Sequence, residues 1–237
     1  MQRLIVTIDG PAGTGKSSVA RDLAADLALE FLDTGAMYRA ATALAIDRSI
    51  SLRDEEAIAR TVRDADLRFD WRTDPPTLYA FTDPMVDRLR DRDVSEGVSP
   101  VSQLPAVRRV LVELQRRIGE SHPRLVTEGR DQGSVVFFDA PAKFFLDADA
   151  RVRAERRARQ LRAAGREADV DRIESELRER DERDSTRPVS PLVCPTDAVR
   201  VDTSGLDQPA VVSELARLVR ARIPRHVLEN APSGPGA

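Results

Sequence analysis

Between Gly10 and Ser17 the chain reads GPAGTGKS, which fits G-x-x-x-x-G-K-[ST], a pattern whose residue types hold a polyphosphate. Glycines let the backbone turn so that successive N–H groups point inward, and a following helix N-terminus adds positive potential. Lys16 can then reach the β and γ phosphates of a nucleoside triphosphate, and Ser17 can ligate Mg²⁺. Gly10, Pro11, Ala12, Gly13, Thr14, Gly15, Lys16, Ser17 and Ser18 are therefore the candidate residues for a phosphoryl donor such as ATP.

Phosphate loops serve kinases, GTPases, ATPase motors and non-catalytic sensors alike, so the rest of the chain has to choose among them. A small-molecule kinase needs a second anion pocket, and two further stretches could supply one. DTGAMYR, Asp33 to Arg39, brings the Thr34 hydroxyl, backbone amides and Arg39 together at a helix start. The plain alternative is that Asp33 or Thr34 merely caps that helix. EGRDQGSVVF, Glu128 to Phe137, sets Arg130 beside Asp131 in a glycine-containing turn. An ordinary loop contact between those two side chains is the alternative there.

These residues need elements to position them. Short apolar runs at Leu4 to Ile8, Leu29 to Asp33, Arg124 to Gly129, Lys143 to Asp147 and Ala198 to Asp202 alternate with helical patterns. The alternation predicts an α/β fold, a parallel sheet flanked by helices, with ligands gathered at the C-terminal ends of the strands. Two segments interrupt it. Thr61 to Ser102 carries the sole tryptophan, a DPP turn and polar–apolar alternation, and reads as an inserted lobe with a hairpin or short sheet. Arg151 to Arg187 is rich in Arg, Glu, Asp and Ala with opposite charges at i,i+3 and i,i+4 spacing, which predicts a helical hairpin turning near Gly165. Its arginines could lie in solvent or close over phosphates.

Composition narrows the class. The chain has 237 residues, with 37 Lys and Arg against 40 Asp and Glu, so the net charge of −3 argues against a protein that coats nucleic acid. Anion recognition must be local. One cysteine, Cys194, excludes an internal disulfide and a structural zinc cluster. His122 and His226, the only histidines, read as surface residues, which disfavours a histidine-based triad or metal site. The first apolar run meets Asp9, Gly10 and Pro11 rather than a cleavage site, and no stretch approaches the ~18 apolar residues that span a bilayer. A cytoplasmic protein with no membrane or nucleic-acid partner is expected.

TIDGPAGTGKS, LDTGAMYRA, VRRVLVELQRR, EGRDQGSVVFFDAPAKFFLDA and ERDERDSTRPVSPL, in that order, resemble segments of the bacterial cytidylate kinase family. The resemblance runs nearly to Asp202, and its GRD-x-G-[ST]-VVF and RD-x-x-RD-x-x-R motifs are much more specific than the phosphate loop. It implies a P-loop nucleoside monophosphate kinase domain over 1–225, with core 1–60, 103–150 and 188–225, an acceptor-nucleotide lobe at 61–102, an arginine-bearing lid at 151–187 and a tail at 226–237. It further implies that Thr34, Arg39, Arg130 and Arg187 lie near the phosphate of CMP, Arg180 and Asp184 near its ribose, and Ser99, Arg108 and Asp131 near cytosine. Ser102 is the alternative to Ser99, which the ungapped spacing to Pro105 and Arg108 favours. Lys16, Arg130 and Arg187 are the expected catalytic residues, and Arg153, Arg156 and Arg157 are equivalent lid candidates. The chain departs mildly from the family at Thr34, where Ser also occurs, and at Gln132, where an aliphatic residue is frequent and a polar one bears on fine selectivity.

The expected reaction is Mg²⁺-assisted transfer of the ATP γ-phosphoryl group to CMP and dCMP by a monomer. The attacking phosphate oxygen is already anionic, so the reaction needs arginines rather than a strong base. The rivals are a kinase for UMP, AMP, dTMP or a small hydroxylated metabolite, and a regulatory nucleotide-binding module whose 151–187 helices contact RNA.

Overall fold

The computed structural model describes residues 2–163 and 165–229, and the end of the expected tail, 230–237, lies outside the described residues. The chain divides into two compact units, residues 1–30 with 123 onward, and residues 31–122.

The first unit opens with β1 (Leu4–Asp9), whose six residues are all buried, as expected for a parallel strand covered on both faces. The phosphate-loop residues follow and lead into α1 (Lys16–Asp26). β2 (Glu30–Asp33) straddles the division between the units.

In the second unit, α2 (Thr34–Asp47) is started by Asp33, whose carboxylate accepts the Ala36 N–H at 2.8 Å, so the capping alternative for DTGAMYR is realised. α3 (Glu55–Asp64) is capped in the same way by Asp54. β3 (Arg68–Asp70), β4 (Thr77–Ala80) and β5 (Asp83–Pro84) form a small antiparallel sheet where the sequence predicts a hairpin or short sheet. α4 (Arg92–Val101) and α5 (Pro105–Ser121) complete the unit. It takes in α2, α3 and α5 as well as the 61–102 segment, because these helices close their apolar faces on one another through Met37, Ala41, Ile58, Val62, Val107 and Leu111. His122 stacks on Trp71 with ring centroids 4.1 Å apart, and is half-buried rather than a plain surface residue.

The chain then returns to the first unit with β6 (Arg124–Glu128), β7 (Ala142–Asp147), α6 (Ala150–Ala163), α7 (Val170–Thr186), β8 (Val199–Asp202), α8 (Gln208–Arg222) and α9 (Arg225–Leu228). β6, β1, β7 and β8 lie side by side in that order and run parallel. Ile8 of β1 pairs with Glu128 of β6, Asp9 with Phe145 of β7, and Asp147 of β7 with Asp202 of β8, so the C-terminal ends of the strands share one edge. The core beneath is Leu4, Ile5, Val6, Leu125, Val126 and Leu146, closed by α1 and α8 through Leu23, Leu215 and Val219.

α6 and α7 form the expected hairpin, turning at Gly165 with φ +73°. Its inner face is a stripe of Ala154, Ala158, Ile173, Leu161 and Leu177, and the alternating charges lie outside it. Residues 226–228, assigned to the tail from the sequence, are helical: Val227 is buried, and the Arg124 guanidinium donates to the carbonyls of Val227 and Leu228 at 2.7 and 2.8 Å. Among the described residues no helix is long and apolar enough to cross a membrane.

Candidate active site

The phosphate loop leaves the C-terminal end of β1. Gly10 has φ +147° there, and a Cβ on it would stand 2.0 Å from the Leu146 carbonyl oxygen, so only glycine lets the loop leave β1 against β7. Gly15, φ +87°, is the left-handed residue that turns the loop into α1. Lys16 is 5% exposed and folds over the loop, with Nζ donating to the Pro11 carbonyl at 2.6 Å and to Thr14 Oγ1 at 3.3 Å. Burial pushes its ammonium down to about 7, Arg130 and Arg180 push the same way, and Glu128 and Asp9 oppose them. Ser17 donates its hydroxyl to Glu128 Oε1 at 2.9 Å, while Gly13, Gly15, Ser17 and Ser18 face solvent.

The EGRDQG turn, Glu128 to Gly133, begins at the Ile8–Glu128 level of the sheet. Arg130 does not pair with Asp131. Its Nε donates to Asp184 Oδ2 at 3.0 Å, and Asp131 instead lies 4.0 Å from Arg187 Nη2, with Arg187 Nε held by the Ser190 carbonyl at 2.5 Å. Asp131, Asp184 and Arg187 are buried and Arg180 is half-buried. The turn and the end of α7 are thus joined by two crossed acid–base pairs beside the loop lysine. Gln132 is fully buried, and its Oε1 accepts the Thr127 hydroxyl at 3.0 Å.

The structure separates the three lid arginines. Arg153 is buried against the loop, donating from Nη1 to the Ala12 carbonyl at 2.8 Å and to Asp181 Oδ2 at 2.5 Å. Asp181 in turn accepts the Ala12 N–H at 3.1 Å through Oδ1. Arg156 is turned toward Thr203 and Leu206, whose carbonyls it meets at 2.6 and 3.1 Å, and Arg157 is exposed.

Within the second unit, Thr34 is the buried first residue of α2, and Arg39 Nη2 donates to Asp33 Oδ2 at 2.9 Å. Arg108 is 2% exposed, its Nη1 donating to the Ser102 carbonyl at 2.9 Å and its guanidinium carbon standing 5.3 Å from the Tyr38 ring centroid. Ser102 spends its hydroxyl on the Ser99 carbonyl at 2.8 Å, whereas the buried Ser99 hydroxyl meets no partner among the described residues.

A family profile described as cytidylate kinase matches residues 6–221. The chain belongs to the cytidylate kinase family. It is 44% identical over 222 residues to a cytidylate kinase of Mycobacterium leprae, covering 94% of this chain and 98% of the relative. It is 45% identical over 225 residues to one of Corynebacterium glutamicum, covering 94% and 96%, and 43% identical over 214 residues to one of Carboxydothermus hydrogenoformans, covering 90% and 96%.

For a cytidylate kinase the first unit's arrangement is chemically apt, because phosphoryl transfer asks for cations around a loop and few proton-transfer groups. Ser17 and Glu128 present hard oxygen donors 2.9 Å apart at the loop, and among the described residues no three His, Cys, Asp or Glu side chains cluster as a metal cage. That donor set fits a cation of the Mg²⁺ type, which is held by one or two protein oxygens with phosphates supplying the rest. Asp9, Glu128 and Asp181 are the site residues that motif reasoning passed over. Asp9 and Glu128 had a legible signal, since each is an acid at the C-terminal end of a predicted strand; Asp181 had only its place in RD-x-x-RD.

Proposed function

We propose a division of labour for the reaction of this family, ATP-dependent phosphorylation of CMP to CDP. The phosphate loop, Gly10 to Ser18, holds the triphosphate of ATP, and Lys16 neutralises its β and γ phosphates. Ser17, with Glu128 accepting its proton bond, holds Mg²⁺, which when bound supplies charge neutralisation to the phosphates. Arg130 and Arg187 are the cations for the acceptor phosphate and the transferred group, assisted by Thr34 and Arg39. Arg180 and Asp184 serve the ribose, and Ser99, Arg108 and Asp131 serve the base. Among the lid arginines, Arg153 is the one adjoining the loop. dCMP is a second acceptor, and the enzyme works as a monomer in the cytoplasm, where nucleotide pools supply its substrates.

The observation that carries this reading is the pair of crossed contacts, Arg130 to Asp184 and Asp131 to Arg187, set beside Lys16. Two guanidiniums held by carboxylates are preorganised cations for an incoming phosphate.

The direct test is turnover with ATP and Mg²⁺ against CMP, dCMP, UMP and AMP in parallel. CMP and dCMP should lead, and preferential use of AMP would sink the assignment. Base reading has its own test. Ionised Asp131 accepts from the cytosine amino group but faces only a carbonyl oxygen on uracil. In Asp131→Asn the amide can present either its oxygen or its NH₂, so the CMP over UMP ratio of kcat/KM should fall at least about tenfold. An unchanged ratio in a folded variant would remove Asp131 from the base.

A further inference from the structure

Asp9 ends β1 and immediately precedes Gly10, yet none of the roles above uses it. Its carboxylate is 1% exposed. Oδ1 accepts the Gln132 N–H at 2.8 Å and Oδ2 accepts the Gly133 N–H at 2.7 Å, and these are the two residues directly after Asp131. A carboxylate whose two oxygens are taken by consecutive amides fixes both the position and the tilt of those peptide planes. Gly129 N–H, at the start of the turn, donates to the Ile8 carbonyl of β1 at 3.0 Å; past Asp131, Val135 and Val136 bond back to the Asp131 carbonyl and Phe137 to the Gln132 carbonyl, within the turn. Gly133 shows how close the seating is: a Cβ on it would meet Thr7 Oγ1 at 2.8 Å and lie 3.4 Å from Asp9 Oδ2. Thr7 and Asp9 belong to β1, which is held on both sides by β6 and β7, so the clamp ties the turn to a rigid strand.

We infer that Asp9 is a positioning residue for base selection: its two-point clamp on Gln132 and Gly133 holds Asp131 at the angle from which the exocyclic amino group of cytosine is read. The inference rests on the assignment of Asp131 to the base. It makes the strand that ends in the phosphate loop also a determinant of which pyrimidine is accepted. A purely structural Asp9 would change stability and leave discrimination untouched.

Asp9→Asn keeps the volume but turns an NH₂ toward one of the two amides, donor against donor, and breaks half of the clamp. The test measures kcat/KM for CMP and for UMP in wild type, D9N, D131N and the double variant, with KM for ATP and a thermal melt for each. The expected result is a fall in the CMP over UMP ratio of roughly tenfold in D9N, because small misplacements of a recognition group are costly. KM for ATP should change by less than about twofold, and the double variant should lose no more discrimination than D131N alone, as for two residues acting through one contact. A lowered ratio in D131N with an unchanged ratio in folded D9N overturns the inference alone, as do losses that multiply in the double variant. An unchanged ratio in D131N overturns the assignment of Asp131 and the inference with it. If D9N does not fold, Gly133→Ala presses on the same clamp from the turn side and should lower the ratio likewise; an unchanged ratio in that variant counts against the clamp.

Discussion

Lys16 is buried under its own loop, and its ammonium, pushed down to about 7, is most costly to keep charged while no phosphate is present. A triphosphate supplies the missing anion, so the residue has most to contribute when the donor is bound. Lys16→Met should therefore leave a folded protein whose phosphoryl transfer is lower by roughly 10²–10³-fold, the scale of losing one preorganised charge donor. Steady-state rates with a thermal melt check this, and near-normal turnover would contradict the loop's role. Asp9 carries a pH signature. Burial, with Asp131 adding to it, raises its carboxyl from 3.8 to about 7 against the two N–H bonds and Lys16 that favour the ion. The folded state then keeps a proton that the unfolded chain gives up, so the contribution of Asp9 to stability is complete below about 4 and is lost as pH rises through about 7. Denaturant midpoints of wild type and Asp9→Asn at pH 4.5, 5.5 and 7.0 should shift in favour of the variant with rising pH, by on the order of a few kcal/mol across the range. A difference that does not vary with pH would show that Asp9 titrates normally. At Asp184 the expected role is the ribose, so Asp184→Ala should harm CMP use more than dCMP use; equal losses would remove it from the 2′-hydroxyl.

The α6–α7 hairpin shows how an element can be both solvated and anchored. Its exposed charges pair at i,i+4, as Arg172 does with Glu176 and Arg178 with Glu174, and such pairs add little each. The stripe of Ala154, Ala158 and Ile173 holds the two helices together, and small residues there let the backbones approach. What fixes the hairpin to the phosphate loop is polar: Asp181 takes the Ala12 N–H, and Arg153 spans the Ala12 carbonyl and Asp181. Asp181→Ala leaves a buried guanidinium short of its carboxylate, a loss of about 1–3 kcal/mol. Amide exchange in α7 and at Ala12 should quicken in that variant while β1 and β6 stay protected. Unaltered exchange in α7 would mean that the apolar stripe alone holds the hairpin.

For the whole molecule, near-neutral charge and buried arginines go together. With 37 cationic and 40 anionic side chains the protein has no surplus field to gather anions, so recognition has to come from a few guanidiniums fixed by carboxylates. Such a site must also deny water the transferred group, which would otherwise waste ATP. ATP hydrolysis without acceptor should accordingly be at least about tenfold slower than transfer to CMP, since closure around substrates commits the reaction. A coupled assay for ADP release with and without CMP measures this, and equal rates would indicate an ATPase rather than a transferase.

Local pattern determined a good deal by itself. The runs LIVTI, KFFLD and AVRVD sit within a residue of β1, β7 and β8, because an apolar stretch bounded by turn residues has few other ways to bury itself. GPAGTGKS named the loop, since glycines are required where Gly10 meets Leu146 and where Gly15 turns left-handed, and Gly165 marked the hairpin's turn for the same reason. The order of the GRD and RD-x-x-RD motifs pointed to the family. Partnership across the fold was a different matter. Arg130 stands next to Asp131 in the chain but bonds Asp184, 54 residues on, and the three lid arginines, alike in sequence, part company because helix phase aims Arg153 at the loop and Arg156 at Thr203. Ser17 finds Glu128, and Asp9 finds Gln132 and Gly133, only because β1 and β6 lie parallel and in register. Spacing along a chain fixes which face of its own element a side chain occupies; which other element meets that face is decided when the sheet assembles.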